Sequence, residues 1–237
     1  MSSLVELVGV THLYGDLVAL EDVDLSLHRC ELAFLVGPSG AGKTTLLRLI
    51  NRELRPTSGE VWVDGMPAHT LKPALLTQLR RRVGVVYQDF KLMPRKTALE
   101  NVAFALQVTF LTVSDKEARE RALDALDAVD LADRAGAFPH ELSGGEQQRV
   151  SIARAVVSQP AVIVADEPTG NLDRYTAEGV VDLLDEISTY GCGVLVATHN
   201  VEIVKRMQRR TMTLVNGRLV RDEPAGRVGR LAWAAGS

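Results

Sequence analysis

The chain has 237 residues, 46% of them hydrophobic and 24% charged, enough for one large α/β domain with an insertion or for two small domains. Its net charge of −3 leaves no electrostatic footprint for nucleic acid, and no nucleic-acid partner is expected. The two cysteines, Cys30 and Cys192, lack metal-ligand spacing and fit a reducing compartment. The chain opens with a strand pattern rather than the basic start and apolar core of a secretory signal. No stretch approaches the ~20 apolar residues that span a bilayer. The best candidate, from Val102 to Val113, is interrupted by Gln107, Thr109 and Thr112. A soluble chain is expected, with any membrane role exerted through a partner.

Val5, Leu7 and Val10, followed by Val18, Leu20, Val23, Leu25 and Leu27, predict two antiparallel strands. Leu32, Ala33, Phe34, Leu35 and Val36 form an apolar run that suits a buried strand. After it comes Gly37-Pro38-Ser39-Gly40-Ala41-Gly42-Lys43-Thr44-Thr45, a full G-x-x-x-x-G-K-[ST] phosphate-binding loop. Leu46, Leu47, Leu49 and Ile50 continue on the spacing of a helix face. The glycines let successive N–H groups converge on phosphate oxygens, and the helix start adds partial positive charge. In such a loop Lys43 reaches the β- and γ-phosphates and the Thr44 hydroxyl ligates the metal. The ligand is therefore expected to be a nucleoside triphosphate with Mg2+.

Glu60 to Gly65 reads as a short strand ending in a turn, and Val83 to Tyr87 as a buried strand running into Gln88. Residues 89–158 have helical texture, with an amphipathic stretch from Asp115 to Val129. Strand texture returns at Ala161–Ala165 and Gly193–Ala197, with a helix-like stretch from Thr176 to Thr189 between them, as in a βαβ unit. Asn216-Gly217 signals a final hairpin, and the segment from Glu223 onward, rich in Gly, Ala and Arg, is expected to be a mobile tail. His12, His28, His69 and His140 show no paired spacing and read as surface or turn residues. The runs Arg80-Arg81-Arg82 and Arg209-Arg210 read as solvated surface.

Asp166 and Glu167 end the Val162–Ala165 strand, where a doubly wound sheet places a magnesium partner. Asp166 can hold the metal and Glu167 can deprotonate an attacking water. In Leu142-Ser143-Gly144-Gly145-Glu146-Gln147-Gln148-Arg149, Ser143 and Glu146 form a capping box. The two glycines after the cap weaken a helix by ~1 kcal/mol each, which makes sense where bare N–H groups must approach an anion.

These strings, with Asn171-Leu172-Asp173 and His199, stand in the order found in the ATP-binding subunits of ABC transporters, and the chain resembles that family over nearly all of residues 4–222. The resemblance implies an α/β fold: a P-loop nucleoside-triphosphatase core with an N-terminal antiparallel β region and a helical insertion. One domain would span 1–222, with its nucleotide-binding core at 1–88 and 159–222 and the helical subdomain at 89–158. It also implies Mg-dependent ATP hydrolysis by an ATP-dependent, head-to-tail homodimer. Ser143, Gly144, Gly145 and Glu146 of one copy would then face the ATP held in the phosphate loop of the other. Ser143 and Gly145 would touch the γ-phosphate, and Asp173 would help join the copies. Gln88 would bind the metal or attacking water, His199 would contact the γ-phosphate and Glu167, and Tyr14 would stack on adenine. With Lys43, the residues implied in catalysis are Glu167, His199 and Gln88. Cys30-Glu31 departs from the Gly-Glu usual at that turn of the family; if the turn needs positive φ, Cys30 carries a cost of about 1–2 kcal/mol.

Thr169-Gly170-Asn171-Leu172-Asp173 is similar to the branch holding cell-division, lipoprotein-releasing and macrolide-efflux ATPases. Gln88 to Thr97 followed by Glu100 to Leu106 is similar to its FtsE-type cell-division members. That likeness implies a peripheral position on the cytoplasmic face of the plasma membrane, an integral membrane partner of the FtsX type, and indirect coupling to cell-wall hydrolases. The alternatives are a transporter subunit for lipoproteins, macrolides or another cargo, or a soluble ABC ATPase of DNA repair or translation. The chain has neither the long insertions of the repair members nor the doubled cassette of the translational ones.

Overall fold

The computed structural model describes residues 3–226. Strands β1 (Val5–Tyr14) and β2 (Leu17–Leu27) pair antiparallel, and β4 (Ser58–Val63) and β5 (Met66–Pro67) extend them into a sheet of order β2-β1-β4-β5. A second sheet has the order β10-β9-β3-β8-β7-β6. Its β3 (Leu32–Val36), β6 (Val83–Val86), β7 (Val162–Asp166), β8 (Gly193–Thr198) and β9 (Arg210–Val215) run parallel, and β10 (Arg218–Glu223) returns antiparallel along β9.

Strands covered on both faces read as unbroken apolar runs, and the pleat sends alternate residues to opposite cores. Ala33, Leu35, Val162, Val164, Leu195 and Ala197 face one core, built with helix α1 (Lys43–Ile50) and the antiparallel sheet. Leu32, Phe34, Val36, Ile163, Val194 and Val196 face the other. Against that second face lie α3 (Ala98–Thr109), α4 (Asp115–Asp127), α5 (Gly144–Val156), α6 (Arg174–Thr189) and α7 (Val201–Met207). The short α2 (Leu76–Arg82) leads into β6. Val102, Ala103 and Leu106, within the stretch considered as a span, are buried in the helical layer. Among the described residues no helix is long and apolar enough to cross a membrane.

The Asn216-Gly217 turn closes β9 on β10 with φ of 47° and 77°, the double left-handed geometry of a two-residue hairpin. Gly217 also donates its N–H to Ala41 O at 3.0 Å and accepts Glu21 N–H at 2.9 Å, so the hairpin end touches the phosphate loop.

Several expectations are corrected. α6 starts at Arg174 rather than Thr176, because the Asp173 carboxylate caps it by accepting Thr176 N–H at 3.1 Å. Glu223 is no loose tail residue: it ends β10 opposite Thr211, and Gly226 N–H bonds Gln208 O at 2.9 Å. The rest of the expected tail, 227–237, lies outside the described residues. His12 is buried within β1, its Nδ1 2.8 Å from Arg55 O. Arg210 is far from solvated: it is held in ion pairs with Glu31 at 3.0 Å and Asp222 at 2.6 Å. Cys30 does take a left-handed backbone, φ 57°.

Candidate active site

The phosphate loop leaves the buried end of β3 and enters α1, six of whose eight residues are buried. Gly42 stands at the N-cap with φ 104°, and a Cβ there would come within 2.5 Å of Ala19 O, so only glycine fits. No side chain caps α1 and no acidic residue lies in its first turn. α3, α4, α5, α6 and α7, by contrast, are capped by the side chains of Thr97, Ser114, Ser143, Asp173 and Asn200. The free donors at the start of α1, with the helix dipole behind them, fit a phosphate group.

Lys43 is buried, and its ammonium donates to Gly37 O at 2.8 Å and Pro38 O at 3.2 Å, with Glu167 Oε1 3.7 Å away. Thr44 Oγ1 donates to Asp166 Oδ1 at 3.2 Å across 122 residues of sequence. Burial pushes the Asp166 carboxyl above its ordinary pKa; the Thr44 bond and Lys43 pull it down, and Glu167 pushes it up. Among the described residues no group of three or more His, Cys, Asp or Glu is placed to hold a metal unaided. Two hard oxygen donors beside a phosphate cradle fit Mg2+, which uses few protein ligands and completes its shell with substrate phosphate and water.

Glu167 sits at the end of β7 with a left-handed backbone, φ 47°, its N–H bonded to Ala197 O at 2.9 Å. This conformation turns its carboxylate toward His199 at the end of β8. His199 Nδ1 lies 2.9 Å from Oε1, and His199 N–H donates to Oε2 at 3.3 Å. Gln88 follows β6; its side-chain amide lies against Gly170, and its carbonyl accepts Asn171 Nδ2 at 3.1 Å. Tyr14 is exposed at the end of β1, edge-on to His12 with ring centroids 4.8 Å apart.

Tyr14, Pro38, Ser39, Gly40, Ala41, Gly42, Lys43, Thr44, Thr45, Gln88, Glu167 and His199 line one open cavity of about 1150 Å³. Gly37 and Asp166 adjoin it through their bonds to Lys43 and Thr44. Leu17, Val18, Ala19, Val201 and Lys205 line it as well, and the sequence reading missed all five as site residues. Leu17 and Val18 are too exposed for a core strand's apolar positions, a tension visible only once β2 is placed. Val201 and Lys205 stand on the seven-residue α7, whose local signals are the Asn200 cap, Glu202 in the first turn and basic residues in the last.

Ser143, Gly145 and Glu146 line a different cavity of about 380 Å³, with Tyr175 and Thr176 of α6. Ser143 Oγ accepts Glu146 N–H at 3.3 Å, and Glu146 Oε2 accepts Ser143 N–H at 2.8 Å and Oγ–H at 2.7 Å. The Ser143 backbone N–H, then its hydroxyl, hold the Glu146 carboxyl below its usual pKa. A Cβ on Gly145 would collide with Thr176 Cγ2, so this glycine also serves packing against α6. Gly144 opens α5 and Asp173 caps α6, neither facing the larger cavity. Within one chain the expected site residues thus form two separate groups.

The family model described as "ABC transporter" matches residues 20–170. The chain is 46% identical to a Bacillus subtilis cell division ATP-binding protein FtsE over 89% of its length and 92% of that protein. It is 43% identical to a Streptococcus pneumoniae protein of the same name over 96% of its length and 98% of that protein. A dimeric ATP-binding cassette, in a post-hydrolysis state with ADP and phosphate bound, superposes with a TM-score of 0.83 at 38% identity, covering 93% of this chain and 98% of the other. The chain belongs to the ABC transporter family and is an ATPase of the ABC type.

Proposed function

We propose that the chain hydrolyses ATP in a composite site, made when two copies close head to tail, and that it acts in bacterial cell division through a membrane partner. The observation that carries this reading is the division of the site. The N-terminus of α1 offers free donors beside Lys43, Thr44, Asp166 and Glu167, while Ser143 and Gly145 line a separate surface.

In this reading Lys43 exchanges its bonds to Gly37 O and Pro38 O for the β- and γ-phosphate oxygens. Thr44 and Asp166 would hold Mg2+, which supplies charge neutralisation to the phosphates when bound. Glu167 takes the proton of the attacking water, and His199, already 2.9 Å from its carboxylate, keeps that carboxylate aimed. Gln88 orients the water or metal, and Tyr14 stacks on the base at the cavity mouth. Ser143 and the Gly145 N–H of the second copy complete the donors around the γ-phosphate. Phosphoryl transfer needs such positioned donors more than covalent chemistry, so hydrolysis waits on closure.

The cell-division role is supported by the named relatives, and in this reading the partner is an integral membrane protein of the FtsX type, with the chain on the cytoplasmic face of the plasma membrane. Conformational signalling through this partner to cell-wall hydrolases is the use we assign to ATP. The test is to trap the Glu167→Gln protein with Mg-ATP, measure its mass in solution, and capture it from membranes. A nucleotide-dependent dimer that brings down a small integral membrane protein of division supports the reading. A trapped protein that stays monomeric removes the composite site, and capture of a cargo permease moves the chain to transport.

A further inference from the structure

Arg154 lies in the last turn of α5, half-buried between the helical layer and the segment that follows β6. One guanidinium nitrogen donates to Phe90 O at 2.7 Å and another to Lys91 O at 2.6 Å. Both acceptor residues hold left-handed backbone, with φ of 58° and 51°. Two consecutive non-glycine residues in that region persist only where their surroundings over-determine them. Local bonds from Phe90 N–H to Tyr87 O and from Lys91 N–H to Asp89 O, with the Lys91–Asp89 ion pair, hold the turn from within. Arg154 ties it to α5, a planar fork across adjacent carbonyls that a single ammonium cannot copy.

Gln88 stands two residues upstream of this clamp, its own carbonyl held by Asn171. The segment from Gln88 to Lys91 is therefore tied at one end to the loop after β7 and at the other to α5. A Cβ on Gly144 would come within 4.0 Å of the Phe90 ring, so Phe90 also lies against the first turn of α5. One rigid helix thus carries Ser143–Gly145 at its start and the fork at its end.

We infer that Arg154 is a positioning residue for Gln88: it locks the backbone of Phe90 and Lys91 to α5, so that the place of Gln88 in the cavity follows the place of α5. Closure of Ser143 and Gly145 on a triphosphate then sets Gln88 in the same movement. The inference rests on the reading of Gln88 as the group facing metal or attacking water.

The test compares the full-length protein with Arg154→Gln, Arg154→Lys and the double variant Arg154→Gln/Lys91→Gly. Steady-state Mg-ATP hydrolysis, binding of a fluorescent ATP analogue and melting temperature are measured for each. Arg154→Gln is expected to lower kcat by about 10–100-fold, the scale of a misplaced positioning group, with KM and analogue affinity within about twofold. Arg154→Lys falls between, and Lys91→Gly restores several-fold of the loss, since glycine adopts the left-handed backbone without the fork. An unchanged kcat in Arg154→Gln overturns the inference. So does a double variant no faster than Arg154→Gln, or a loss of analogue binding parallel to the loss of kcat. If Arg154→Gln does not fold, Arg154→Lys with and without Lys91→Gly carries the same comparison. A wild-type protein that does not hydrolyse Mg-ATP in this assay fails the ATPase reading instead, so the two failures are distinct.

Discussion

The N-termini of α1 and α5 both begin among glycines, yet they are finished in opposite ways. At α1 the cap residue is Gly42, no side chain bonds the first N–H groups, and Lys43 behind them is buried. At α5 the Ser143 hydroxyl and the Glu146 carboxylate close a reciprocal box on the helix's own donors. The first terminus keeps its donors for an anion from outside. The second has its donors satisfied locally, beside a carboxylate whose pKa those same bonds lower. In the proposed reading a triphosphate therefore binds the α1 terminus first and alone, and engages α5 only as part of a closed pair.

Removing chemistry from the α1 half has the largest expected effect. Glu167→Gln should slow ATP turnover by ~10²–10⁴-fold, the loss typical of a general base, while a filter or fluorescence assay shows nucleotide still bound. Lys43→Ala should act earlier, weakening nucleotide affinity about 10–100-fold through loss of charge-assisted bonds to phosphate. Ser143→Ala belongs to the other half. It should leave the affinity of the single chain for nucleotide unchanged and abolish dimer formation in the Glu167→Gln background. It should also cost about 1 kcal/mol of stability from the lost cap, read by denaturant titration. Equal loss of monomer binding in the Lys43 and Ser143 variants would erase the contrast between the termini.

A control away from both is Cys30→Gly. Cys30 is exposed in a left-handed turn, and glycine there should raise stability by about 0.5–1 kcal/mol with no change in turnover. The smallest effect concerns acid. Glu146 titrates below its ordinary value in the folded chain, so its box contributes stability above the unfolded carboxyl pKa and loses it as pH falls through the folded one. Glu146→Gln should make melting temperature less sensitive to pH on that acid limb.

What could be read from the sequence was whatever local chemistry dictates. The five-residue apolar run of β3, the glycine spacing of the phosphate loop and the Ser143–Glu146 box are each complete within about ten residues. The strands β7 and β8 were legible because burial on both faces leaves no polar interruption. Arg210 was misread as surface because its partners, Glu31 and Asp222, lie outside its own strand. Asp173 read as an interface residue, yet its helix-capping bond is equally local and set the start of α6. The seven-residue α2 and α7 are too short for periodicity to speak, and with α7 went Val201 and Lys205. The arginine fork of Arg154 spans 64 residues to Phe90 and has no sequence signature at all.

The contact between Gly217 and Ala41 joins the glycine-rich loop before α1 to the β9–β10 hairpin, far downstream in sequence. During synthesis the lysine and threonine of the loop emerge long before the turn that braces them. In the proposed reading ATP therefore meets a braced cradle only once the Asn216-Gly217 turn has been made, and nucleotide loading, and with it pairing, waits on the β9–β10 hairpin.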